Sequence, residues 1–202
     1  MCGGGSCLSC IGYILLNLSI LACLAAFCSP FWLEYNLTFK GAFSDPLNSL
    51  KSFSTKWEGL WGECDKDMQC RWVWQDDFAL EKTLPDWKKA SQGLYAGGVV
   101  LILVSVLISS LHLCCCCCKG SFSIRSAMGS LVLAGVLCIA ASLAVYGGFL
   151  YKEDKLSEAL TFAWGYYLGI AGVCACFVAS LLFFLDGCFN RNHEGYHMTR
   201  VV

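Results

Sequence analysis

The sequence predicts a membrane all-α protein of four spans that carries a small antiparallel β-sheet in its one long loop. Three observations predict it. The chain of 202 residues is 57% hydrophobic and only 14% charged, with a mean hydropathy of +0.59, whereas soluble domains carry about 25% charged residues. Its charges avoid four stretches, 8–27, 93–113, 128–150 and 162–185. As a helix rising about 1.5 Å per residue, each is roughly 30–36 Å long and crosses a hydrocarbon core of ~30 Å. The segment 28–92 between the first two is long, charged and rich in aromatic side chains, and two of the 16 cysteines stand well inside it.

Taken in order, residues 1–7 form a short N-terminus and 8–27 the first span. A cleaved signal peptide is the competing reading of that span, because Ala22-Cys23-Leu24-Ala25-Ala26 offers small residues for processing. The leader has no Lys or Arg, however, and the apolar run exceeds the ~7–15 residues of a signal core, which favours a retained span. Asn17, the one strongly polar side chain deep in a span, is expected to hydrogen-bond a neighbouring helix and not to face lipid. In 28–92, Trp32–Phe39 and Arg71–Gln75 alternate loosely in polarity and are rich in β-formers, so they read as short strands. Asp45-Pro46 and Leu84-Pro85-Asp86 are turn signals. A sheet of this size has too little core of its own and needs a staple and the membrane surface. The second span is 93–113, the Cys-rich loop 114–127, the third span 128–150, a short loop 151–161, the fourth span 162–185 and the tail 186–202. In the fourth span Gly165 and Gly169 form a small-xxx-small pair continued by Gly172, which suits packing within a bundle or against another protein.

Four spans put both termini on one side, and cysteine usage orients them. The positive-inside rule is neutral, since 114–127 holds only Lys119 and Arg125. Cys64 and Cys70 lie in a polar loop and suit a disulfide on the oxidising side, with two free thiols as the alternative. Zinc is disfavoured because no His or second cysteine pair stands nearby. The other cysteines sit in spans or at the opposite membrane edge. There Cys114, Cys115, Cys116, Cys117, Cys118 and Cys188 are palmitoylation candidates. Termini and 114–127 are therefore expected in the cytoplasm, with 28–92 and 151–161 outside the plasma membrane. On that side Asn36-Leu37-Thr38 makes Asn36 a glycosylation candidate.

Several activities are disfavoured. His193-Glu194-Gly195-Tyr196-His197 fits the zinc-peptidase pattern. It reads as coincidence, because Gly195 interrupts it and no folded domain is expected there to supply a helix, a third ligand or a cleft. No nucleophile and base pair is recognisable, so no enzyme, catalytic residue, metal or cofactor is expected. Neither interior charges nor a nucleotide motif point to a pump, and nothing points to nucleic acid. The terminal Val201-Val202 offers a free carboxylate after a valine, a possible strand-adding ligand for a PDZ domain.

One resemblance covers essentially the whole chain. Trp32 soon after the first span, then Gly59-Leu60-Trp61, then Cys64 and Cys70, resembles the signature of the superfamily of claudins, peripheral myelin protein, epithelial membrane proteins, lens fibre membrane intrinsic protein and channel gamma subunits. Leu84-Pro85-Asp86-Trp87 and Phe162-Ala163-Trp164-Gly165-Tyr166-Tyr167 are similar to the same superfamily, with Lys88-Lys89 where claudins usually carry an arginine. The resemblance implies a claudin-like left-handed four-helix bundle, with an extracellular sheet built from the first loop and one strand of the second. It also implies a structural protein of cell–cell contacts or junctions that assembles with itself or related four-span proteins in membrane lipid, as a paracellular barrier or pore. The alternative it implies is an auxiliary subunit that modulates an ion channel or receptor. A third is a regulator of membrane curvature and trafficking.

Overall fold

The computed structural model describes residues 7–35, 56–74, 84–114, 122–152 and 160–198. Side chains are described from Leu8 to Cys188 except at 112–114, 122–125, 152 and 160 within these ranges. Four long apolar helices form a bundle: α1 (Cys7–Cys28), α2 (Asp86–Cys114), α3 (Phe122–Lys152) and α4 (Trp164–Met198). Within them Leu8–Cys28, Asp86–Leu111, Ser126–Tyr151 and Trp164–Cys188 are long and apolar enough to span a membrane. Each helix exceeds its uncharged core. Pro85 cannot continue a strand ladder but can open a helix, and its carbonyl accepts from Lys88 N and Lys89 N, so α2 starts at Asp86, whose charge suits a helix N-terminus. No proline follows Pro85 in the sequence, and α4 runs on to Met198. The His193–His197 stretch is therefore helical, contrary to the expectation that no helix would be found there. Its side chains lie outside those described. Among the described residues no three His, Cys, Asp or Glu side chains converge.

Five three-residue strands make one antiparallel sheet in the order β4-β3-β2-β1-β5. They are β1 (Leu33–Tyr35), β2 (Lys56–Glu58), β3 (Gly62–Cys64), β4 (Cys70–Trp72) and β5 (Leu160–Phe162). The first four come from the segment between α1 and α2, and β5 comes from the segment between α3 and α4. Leu33 faces both Glu58 and Phe162, Glu58 faces Glu63, and Cys64 faces Cys70. The expected strand over 71–75 ends at Trp72. Val73 and Trp74 form a turn in which Val73 N reaches Trp61 O and Trp74 stacks on Trp72 at 5.1 Å. Of the other strand patch only 32–35 is described; Gln75, Phe39 and the Asp45-Pro46 turn lie outside the described residues.

The chain divides into two units, one of Leu24–Tyr95 with Ala141–Ile170 and one of Met1–Cys23, Ala96–Ala140 and Ala171–Val202. The first holds the sheet. In the second, the helices meet by close approach of small residues. A Cβ on Gly98 would stand 2.7 Å from Gly135 O, and one on Gly135 would stand 2.8 Å from Gly98 O. Ser180 Oγ donates to Gly129 O, Ser105 Oγ to Met128 O, and Ser9 Oγ to the buried Asp186 at 2.6 Å. Asn17 departs from expectation, since its Nδ2 donates to Tyr13 O of its own helix at 2.8 Å and not to a neighbour. That carbonyl is one turn away and always within reach of an amide, whereas a partner on another helix has to lie at the same depth.

Candidate functional site

The site grows from the turn where the chain leaves α1. Ser29 N bonds back to Ala26 O and Phe31 N takes Ser29 Oγ, so the backbone bends at Ser29-Pro30 and delivers Trp32 inward. Trp32 is wholly buried; its Nε1 donates to Ala26 O at 2.7 Å. Tyr95 of α2, Tyr146 of α3 and Tyr166 of α4 meet the indole edge-on, with centroids 5.6, 5.0 and 5.8 Å away. A desolvated ring with edge-to-face neighbours on three helices gains both burial and quadrupole terms. Its own backbone joins the sheet, because Trp32 N donates to Glu58 O and Trp32 O accepts from Ala163 N. One residue thus ties strands from both loops to the helix ends.

Gly59, Leu60 and Trp61 complete the seat. A Cβ on Gly59 would collide with Ser29 O and Pro30 Cα, so only glycine lets β2 pass this close to the end of α1. Gly59 N bonds Gly62 O, turning the chain from β2 into β3. Leu60 is fully buried, and its carbonyl accepts from Gln92 Nε2 of α2 at 2.7 Å. Trp61 lies edge-on to Phe27 at 5.1 Å. Beyond it, Cys64 and Cys70 are directly opposed and joined by a disulfide, with the buried Cys64 fastening β3 to the edge strand β4. Between them Asp65 N bonds Gln69 O and Met68 N bonds Asp65 O, a three-residue hairpin loop whose last position must turn left-handed. Met68 occupies it at φ 56°, with its side chain exposed.

Cross-strand partners share a face of the sheet, so the register also sorts the charges. Glu58, Glu63, Arg71, Tyr35 and Lys56 fall on one face, and Trp57, Trp72 and the disulfide on the other, with Glu34 the one strand charge on that second face among the described residues. On the charged face Tyr35 Oη donates to Glu58 Oε2 at 2.6 Å, Lys88 of α2 pairs with Glu58 Oε1, and Lys56 pairs with Glu63. Lys88 is buried, the Lys56–Glu63 pair much less so. Burial by itself would raise the Glu58 carboxyl, but the charge of Lys88, its hydrogen bond and that of Tyr35 together hold it below the usual carboxylate range. Burial first, and then the Glu58 charge beside it, push the Tyr35 hydroxyl far above its ordinary value, so it stays a donor.

The structure brings Trp32, Gly59, Leu60, Trp61, Cys64 and Cys70 together in the sheet-bearing unit. Gly165 and Gly169 stand in the same unit. A Cβ on Gly165 would meet Phe31 O at 2.5 Å, and one on Gly169 would touch Leu143, Tyr95 and Ala26, so this pair is used in packing within the protein. Cys188 is exposed near the end of the fourth span. Asn36, Cys115, Cys116, Cys117, Cys118 and Val202 lie outside the described residues, and of Cys114 only the backbone is described. Sequence reading missed Glu58 as the shared partner of Lys88 and Tyr35, and Gln92 as the clamp on Leu60. It also missed the three tyrosines around Trp32. Their only signal was position, polar or aromatic residues at the sheet-side ends of the spans. Residues 6–183 match the sequence model of the PMP-22/EMP/MP20/Claudin family, and the chain belongs to that family of non-enzymatic, multi-pass membrane proteins with four spans.

Proposed function

We propose that this protein is a structural protein of the plasma membrane that mediates cell–cell contact and organises junctions. Its sheet faces outward and meets copies or related four-span proteins on the same or the adjoining cell. The observation that carries this reading is the way the sheet is held. Trp32, the Glu58–Lys88 pair and the Gln92–Leu60 bond fix it to the helix ends, while the β3–β4 hairpin exposes Met68 and Arg71 and the turn after it exposes Trp74. A rigid platform with an exposed tip binds without the entropic cost of ordering a mobile loop. In its paracellular version the sheet charges set ion preference within a Debye length of ~8 Å. With ten acidic and eight basic residues over 28–92, net −2, neither sign dominates.

The same reading places the disulfide outside and the thiols inside, with Cys114, Cys115, Cys116, Cys117, Cys118 and Cys188 as acylation sites and Asn36 as the glycosylation site. The exposure of Cys188 supports its part in this. The C-terminal Val202 would bind a PDZ domain. The test is expression in non-adherent cells lacking junctions, beside a Cys64→Ser variant. Accumulation at cell–cell contacts that the variant loses is the expected result. Uniform surface staining of the wild type would overturn it in favour of the auxiliary-subunit reading, which the Trp32–Trp61 interval, longer than that of typical claudins, also suits; co-purification with a channel or receptor would then decide.

A further inference from the structure

Asn17 uses only part of its hydrogen-bonding capacity within the protomer. It lies at the middle of the Leu8–Cys28 span, where water is absent and an unsatisfied amide is costly. Within the protomer its Nδ2 makes one bond, to Tyr13 O. Its carboxamide oxygen has no hydrogen-bond partner among the described residues and is not enclosed by them. At 100° per residue, Asn17 stands on the rim of the outward arc of α1. Ile14 and Leu21, one turn before and one turn after it, are 59% and 61% exposed, and Cys10 and Cys28 lie in nearly the same direction, both exposed. The inward arc is marked by the buried Leu16, Ser19, Ile20 and Cys23. The amide therefore opens onto the surface that meets lipid.

We propose that α1 is a lateral self-association surface, on which Asn17 of one copy hydrogen-bonds Asn17 of a second copy in the same membrane. The occupant follows from complementarity and depth. A carboxamide has a free acceptor and a second N–H, so it is its own complement across a two-fold axis. Two copies inserted the same way carry this group at the same depth, so parallel α1 helices that touch bring the two amides together without any adjustment. A different transmembrane helix would need its own polar group at that level. Ile14, Leu18 and Leu21 supply the apolar flanks, and packing plus an interhelical hydrogen bond is what drives helix association in lipid. The inference does not depend on the contact role of the sheet, because it concerns neighbours in one membrane.

The test uses the full chain, labelled with donor and acceptor dyes and reconstituted into vesicles at a series of protein-to-lipid ratios, with energy transfer between copies as the readout. The expected result is dimerisation weakened on the order of tenfold by Asn17→Leu and nearly restored by Asn17→Gln. Leucine is welcome in lipid and costs the protomer only the bond to Tyr13 O; circular dichroism and the intact Cys64–Cys70 bond check that the fold is kept. A wild type that stays monomeric at every ratio, or a dimer that Asn17→Leu leaves unchanged, would overturn the proposal. Should the leucine variant misfold, a photoreactive side chain in place of Leu21 on α1 or Leu107 on α2 decides. Cross-links between copies from position 21 support the proposal, and cross-links from position 107 alone refute it. Persistence of the dimer when Cys64→Ser abolishes contact accumulation would separate this surface from the sheet.

Discussion

The sheet-bearing unit and the unit built from residues 1–23, 96–140 and 171–202 consist of similar helices, yet different chemistry holds them. The first is fastened by large directional groups: an indole among three tyrosines, a disulfide, a buried lysine on a carboxylate, and an amide on a carbonyl. Close contacts of small residues occur in the first unit too, at Gly59 and Gly165 and between Ser91 and Ser142, but there they accompany the large groups, whereas the second relies on them, with Gly98 against Gly135 and serine hydroxyls donated to backbone carbonyls. Solvent explains the contrast. Near a membrane boundary apolar burial still gains from excluding water, and a lysine and a carboxylate that are buried there must stay paired, so aromatics and matched charges hold the structure. Within hydrocarbon a leucine is no better off in protein than in lipid, and close backbone approach and hydrogen bonds are what remain.

That contrast can be broken most forcefully at Trp32. Trp32→Ala removes a fully buried ring and its bond to Ala26 O, and the expected loss is about 3–5 kcal/mol, read from thermal or denaturant unfolding in micelles. A wild-type-like midpoint would mean the ring is not the anchor. Next in size is Glu58→Ala, which leaves Lys88 buried without its partner and should cost about 2–4 kcal/mol. The same pair sets a pH dependence. Because the Glu58 pKa lies below its ordinary 4.5 in the folded state, its contribution is complete above that value and is lost as pH falls from there through the folded pKa. Unfolding midpoints should therefore drop on acidification below about pH 4.5 in the wild type and drop less in Glu58→Gln.

On the other side of the comparison, Gly98→Ala places a methyl 2.7 Å from Gly135 O and 2.5 Å from Ile139. The expected cost is about 1–3 kcal/mol, with no change in the acid sensitivity that belongs to Glu58. Loss of that sensitivity in Gly98→Ala would show that the two units are not held independently. The smallest effect is a gain. Met68→Gly frees the left-handed position of the β3–β4 loop and should stabilise the hairpin by about 0.5–1 kcal/mol, seen as a higher unfolding midpoint. Since the methionine side chain is exposed, that gain accompanied by weaker contact accumulation would mean the residue is kept for binding.

The spans were legible because their signal is composition over about 20 residues, which no tertiary contact can override in lipid. The hairpin at Cys64 and Cys70 was legible because spacing and a polar loop allow few alternatives. Trp32, Gly59, Leu60 and Trp61 could be named from family resemblance, but why they recur could not. The collision of a Gly59 Cβ with Ser29 O and Pro30 depends on two segments far apart in sequence. Asn17 misled for a related reason, since its type implied a bond but not whether the acceptor would be a neighbouring helix or the carbonyl one turn back.

The amino-acid order alone determined that this chain enters a membrane four times and builds its polar fold in the loop between the first two spans, because hydropathy and helix rise are properties of contiguous residues. Only the tertiary structure decided that β5 joins the other edge of that sheet beside β1, that Lys88 is spent on Glu58, and that the glycines of α4 face inward while the amide of α1 opens outward. Each of these depends on which helix faces meet, and a helix that is apolar on every side carries no record of that choice in its own periodicity.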